Sequence, residues 1–97
     1  MNSEQMFDLS TSIRELCNCR DEFEEELVET AALEAAYRLY YREPCSDETA
    51  IENGMEKLIL LRVLKKFTKR EAYLYRVGFL TMTAIARAGL RHVRSGE

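Results

Sequence analysis

With one proline (Pro44) and four glycines in 97 residues, the chain has few places at which it can turn sharply. That scarcity favours a few long helices over many short strands. The apolar residues recur accordingly. Met6, Leu9, Ile13 and Leu16 form a helical stripe, with Ser3 as its N-cap and Glu4 in its first turn. From Asp21 to Arg42 the signal is stronger: Phe23, Leu27, Ala31 and Ala35 lie along one side, widened by Val28, Ala32, Ala36 and Leu39. Asp21 with Glu24 three residues on resembles a capping box, so residues 3–42 read either as one long helix or as two joined at Cys17–Asp21. Pro44 stops the helix near Glu43.

Beyond the proline, Ser46 or Asp47 caps a further helix with a broad apolar surface from Ile51 to Phe67, interrupted at Asn53-Gly54. Thr68-x-x-Glu71 is a capping box and opens the last helix, which runs to about Ala88, with Gly89 beyond it and Leu90 and Val93 able to extend it. That helix is apolar nearly all round, as a central helix is, and Gly78, Ala84, Ala86 and Ala88 allow close neighbours. The expected fold is all-α: a small antiparallel bundle of three to four helices, one domain over residues 1–97.

Charge is strongly segregated. Residues 1–56 carry fifteen acids and four bases, whereas residues 57–94 carry ten bases and one acid, Glu71. Glu22, Glu25, Glu26 and Glu29 share one helix face, a solvated surface or an acidic docking face for a basic partner. Arg62, Lys65, Lys66 and Lys69 recur at helical spacing, and Arg76, Arg87, Arg91 and Arg94 fall close to one line on the last helix. Such stripes either face the acidic helices of this or a second chain, or hold nucleic-acid phosphates.

Catalytic and metal chemistry is poorly supplied. Cys17, Cys19, Cys45 and His92 have no zinc-ligand spacing, and two cysteines one residue apart point to different sides of a helix. His92 is the only histidine, which leaves no Glu-x-x-His motif for a di-iron bundle and no positioned nucleophile–base pair. Thr68-Lys69-Arg70-Glu71 and Ile85-Ala86-Arg87 resemble the helix-turn-helix of LuxR-type regulators in those residues alone. The distance between the two parts is shorter than in that family, and Phe79-Leu80 follow Gly78 where a polar turn belongs, so no function is carried over.

The sequence therefore predicts a non-enzymatic protein-interaction module (a small adaptor, inhibitor or chaperone-like subunit) that needs no metal and no cofactor. Expected contacts are Glu22, Glu25, Glu26 and Glu29, with Tyr37, Arg38 and Tyr41 as a hot spot should they be exposed together. The expected partners are a protein of unspecified identity and further copies of the chain. The second reading is a nucleic-acid-associated regulator contacting phosphates through Arg62, Lys65, Lys66, Arg87, Arg91 and Arg94. No secretory signal and no membrane span is expected, because the uncharged stretch Val77–Ala86 is too short to cross a bilayer. Three cysteines, an odd number, suit a reducing cytoplasm.

Overall fold

The computed structural model describes residues 3–41 and 45–95, the last seven of these (89–95) by their backbone alone. Every regular element among the described residues is α-helical: α1 (Ser3–Leu16), α2 (Glu22–Tyr41), α3 (Asp47–Leu60) and α4 (Lys69–Ser95). The chain thus breaks at residues 17–21 into two helices. Asp21 Oδ1 accepts the Glu24 amide at 2.8 Å, while the Glu24 carboxylate reaches back to the Arg20 amide at 2.7 Å, a capping box shifted by one residue. Ser46 is the N-cap of α3 and accepts the Thr49 amide. Thr68 and Glu71 make the full reciprocal box at α4, with amide contacts of 3.1 and 2.9 Å. The stop expected at Glu43–Pro44 lies outside the described residues.

The third helix ends at Leu60, well short of the apolar run to Phe67. Its terminus is a Schellman motif: the Arg62 amide donates to the Ile59 carbonyl and the Val63 amide to the Leu58 carbonyl, both at 3.0 Å. Arg62 takes the left-handed conformation this requires, with φ of 60°. Glycine is the usual residue there, and an arginine leaves no sequence sign of the turn. Lys65 and Lys66 therefore share no helix face with Arg62. At the other end α4 runs through Gly89 to Ser95 and is unbroken across Gly78–Leu80, so no turn divides it.

The core is a seam between α2 and α4. Val28, Ala31, Ala32 and Ala35 expose nothing, and neither do Phe79 and Met82 across from them. Alanines let the backbones approach, and Gly78 permits the closest contact: a Cβ there would lie 2.6 Å from the Val28 carbonyl oxygen. Ile13 of α1 and Ala50 and Ile51 of α3 close the cluster. Gly54, inside α3, leaves room for the Tyr75 hydroxyl. Two expectations change. Phe23 is partly exposed, off the buried stripe of α2, and α4 is not buried all round, since Tyr73 and Ile85 reach solvent. The alanine face of α2 shares the centre that the sequence assigns to α4.

Ion pairs tie the helices together. Arg38 is buried, with its guanidinium over the Phe79 ring, bonded to the Cys45 carbonyl and paired with Asp47. Asp47 also receives Arg87 at 3.1 Å, so one carboxylate joins α2, α3 and α4. Glu24, itself buried, takes Arg70 at 2.8 and 3.0 Å, and Arg76 pairs with Glu48. Arg14 of α1 reaches Glu29 of α2 at 2.8 Å.

Two substitutions test this packing. Gly78→Val forces α2 and α4 apart and lowers unfolding free energy by about 1–3 kcal/mol in urea titrations, whereas Ala84→Leu on the exposed side of α4 changes it by less than about 0.5 kcal/mol. Arg62→Gly removes the left-handed strain and raises stability by about 1 kcal/mol in the same titration.

Candidate functional site

Charge pairing inside the chain is selective. Arg70, Arg76 and Arg87 of α4 are each taken by an acid of α2 or α3. Among the described residues no ion pair involves Glu4, Asp8, Glu22, Glu25 or Glu26, nor Lys57, Arg62, Lys65, Lys66 or Lys69. Uncompensated acid thus sits on α1–α2, with Glu52 and Glu56 also unpaired on α3, and uncompensated base on the α3–α4 connection.

On the acidic side lies a cleft of about 470 Å³ between the start of α1 and the end of α2, lined by Ser3, Met6, Phe7, Leu33, Tyr37, Tyr40 and Tyr41. Helical spacing builds it: Ser3 and Phe7 are one turn apart on α1, and Leu33, Tyr37 and Tyr40–Tyr41 follow one another at single turns on α2. The rings brace one another, Tyr37 to Tyr41 at 4.5 Å between centroids and Tyr40 to Tyr41 at 5.0 Å edge-on. Tyr37, Tyr40 and Tyr41 are each more than half exposed, as is Phe7. The neighbouring Tyr37 phenol holds Tyr41 above its ordinary pKa, so Tyr41 is a neutral hydrogen-bonding group at physiological pH. Glu4 and Asp8 flank Phe7 on α1, and Glu26 and Glu29 lie one to two turns before Leu33 on α2.

The predicted contact residues divide. Tyr37 and Tyr41 are together on the surface, and Tyr40, Phe7 and Met6 complete their site, a set that sequence spacing on one helix could not assemble across two. Arg38 does not join them. Its side chain turns into the core instead, 6 % exposed, where it carries the pair with Asp47. Glu22 and Glu26 are exposed and Glu25 half-buried, while Glu29 is engaged by Arg14.

On the basic side, residues 57–69 carry five cations and no acid. Leu60, Leu61 and Val63 are 73, 64 and 52 % exposed there, beside Arg62, Lys65 and Lys66. Of the predicted phosphate contacts, Arg62, Lys65 and Lys66 are thus accessible, Arg87 is held by Asp47, and the side chains of Arg91 and Arg94 lie outside the described residues. So does that of His92. Burial raises the pKa of the Cys17 and Cys19 thiols, which keeps them protonated and weakly nucleophilic. No group of described His, Cys, Asp and Glu side chains could hold a metal ion, and no described helix is long and apolar enough to cross a membrane.

The Glu24–Arg70 bond gives the fold a measurable acid dependence. Arg70, and then the Arg20 amide, hold the Glu24 carboxyl below its ordinary value of 4.5. Its contribution to stability is complete above that value and is lost as pH falls through the lower, folded-state pKa. In urea titrations from pH 7 to 3, Glu24→Gln therefore has a shallower loss of stability below about pH 4.5 than the parent chain. Comparison with protein-family models, with curated proteins and with solved structures finds no match for the chain.

Proposed function

We propose that the chain is a non-enzymatic protein-docking module, built as a bundle in which consecutive helices run antiparallel, and that the tyrosine cleft is its contact surface. The antiparallel reading rests on placement. The start of α1 lines the cleft with the end of α2, and Gly54 of α3 meets Tyr75 of α4 while Asp47, earlier in α3, meets Arg87, later in α4. The observation that carries the docking reading is the exposed, mutually braced trio Tyr37, Tyr40 and Tyr41 beside Phe7. Rings of this kind offer large contact area, lose little rotamer entropy on binding and keep a polar tip. A cleft of this volume, about 470 Å³, accepts a few apolar side chains, and the flanking acids select for a partner that is also basic.

An adaptor or inhibitor role suits this chemistry, in which the described residues contribute a shaped contact surface. Among the described side chains, a nucleic-acid role would rest on Arg62, Lys65 and Lys66 without Arg87, which Asp47 already neutralises.

Peptide-display selection against the protein tests the reading. Enriched sequences combine large apolar residues with lysine or arginine, and Tyr37→Ala/Tyr41→Ala weakens them at least tenfold. Sequences that bind the double variant as well as the parent would place the contact surface elsewhere.

A further inference from the structure

The two uncompensated surfaces complement one another, and we infer that the apolar–basic tip at residues 57–69 of one copy docks into the tyrosine cleft of a second copy. The inference rests on the docking role proposed for the cleft and names its occupant.

Shape and chemistry match on both sides. The cleft is concave and aromatic, with Glu4 and Asp8 beside Phe7 on α1, and among the described residues neither acid has an ion-pair partner. The tip is a turn, and it presents Leu60, Leu61 and Val63 to solvent between Lys57, Arg62, Lys65 and Lys66. Three aliphatic side chains exposed at one turn form a cohesive apolar knob, unlike the scattered exposed leucines common on protein surfaces.

The backbone supplies a second observation. The structure holds Arg62 at φ of 60°, in the centre of the knob, where glycine would be less strained. Strain of this kind concentrates at functional positions, and here the side chain is a cation between two exposed aliphatic residues, Leu61 and Val63.

The tip of a chain does not reach that chain's own cleft. Arg70, just past the tip, binds Glu24 near the start of α2, while the cleft lies at the other end of that helix. Twenty residues of helix separate the two ends by about 30 Å. Each copy therefore offers one knob and one socket, a head-to-tail arrangement that closes into a dimer or ring or continues as a chain.

Three variants test this in sedimentation equilibrium up to about 1 mM, the weak limit for a specific contact. They are a tip variant (Leu60→Glu/Leu61→Glu), a cleft variant (Tyr37→Ser/Tyr41→Ser) and Arg62→Gly, each first shown helical and cooperatively folded. The parent chain associates, and more weakly as salt rises. The tip and cleft variants associate at least tenfold more weakly when alone. An equimolar mixture of the two forms a heterodimer that neither forms by itself, because each brings the half the other has lost. Arg62→Gly melts a few degrees higher yet associates more weakly, which separates the contact from stability.

A parent chain that stays monomeric at about 1 mM, association indifferent to the tip and cleft variants, or an inert mixture would each overturn the inference. A monomeric parent that binds an oligonucleotide or anionic vesicles through Lys65 and Lys66 would assign the tip to phosphates instead. The peptide selection reads the cleft without the tip, so a monomer whose cleft still selects basic apolar peptides would sink self-pairing alone.

Discussion

A guanidinium inside an apolar core is costly unless its charge and its donors are met, and Arg38 is such a group. The rest of the bundle is arranged to meet it. Asp47 supplies the counter-charge from the first residue of α3, the Cys45 carbonyl takes a further N–H, and the Phe79 face lies 5.5 Å from the guanidinium carbon. Cys45 and Asp47 come from the entry to α3, and Phe79 comes from α4. Because Asp47 also binds Arg87, the charge in the core fixes how the α2–α3 connection, the start of α3 and the second half of α4 meet. Among the described side-chain nitrogens and oxygens that are buried, Arg38 Nε is the one without a partner, so the arrangement satisfies the charge fully and the donors nearly so.

Around that node, specificity comes from size and sign more than from large apolar side chains. The α2 seam is alanine over much of its length, and Gly78 admits the Val28 backbone. A small-residue seam is sensitive to approach distance and poor in buried area per residue. The ion pairs act on the same geometry: Glu24–Arg70 near the start of α2 and the Arg38–Asp47–Arg87 chain near its end set the register of α4. Charge segregation thus serves two purposes at once. Arg70, Arg76 and Arg87 of α4 lock the fold internally, and the cations of the α3–α4 connection are left over.

Much of the architecture was legible in the residues. Thr68 and Glu71 announce the start of α4, Ser46 that of α3, and Asp21 the restart after α1, because capping is local chemistry with a fixed spacing. What escaped the sequence depends on long-range contact or on backbone conformation alone. The end of α3 at Leu60 rests on an arginine in a conformation that normally advertises itself with glycine. The inward turn of Arg38 depends on a carboxylate nine residues away that a helix-face argument on α2 does not see. The tyrosine cleft was half legible: Tyr37 and Tyr41 stood out, but Met6 read as part of an ordinary stripe of α1 and Phe7 lay outside that stripe until α1 was laid against the end of α2.

The α2–α4 seam also has a kinetic consequence. Its contacts join residues far apart in the chain, as Glu24 and Arg70 are, 46 positions apart. During synthesis α1, α2 and α3 emerge with the alanine face of α2 still uncovered, since the helix that closes it comes last. Non-local closure of this kind is slow and leaves a nascent chain open to aggregation. The dense negative charge of the first half counters that hazard through mutual repulsion, and it does so until the cations of α4 arrive to neutralise part of it. The same charges that choose the neighbours of the finished bundle keep its unfinished half in solution.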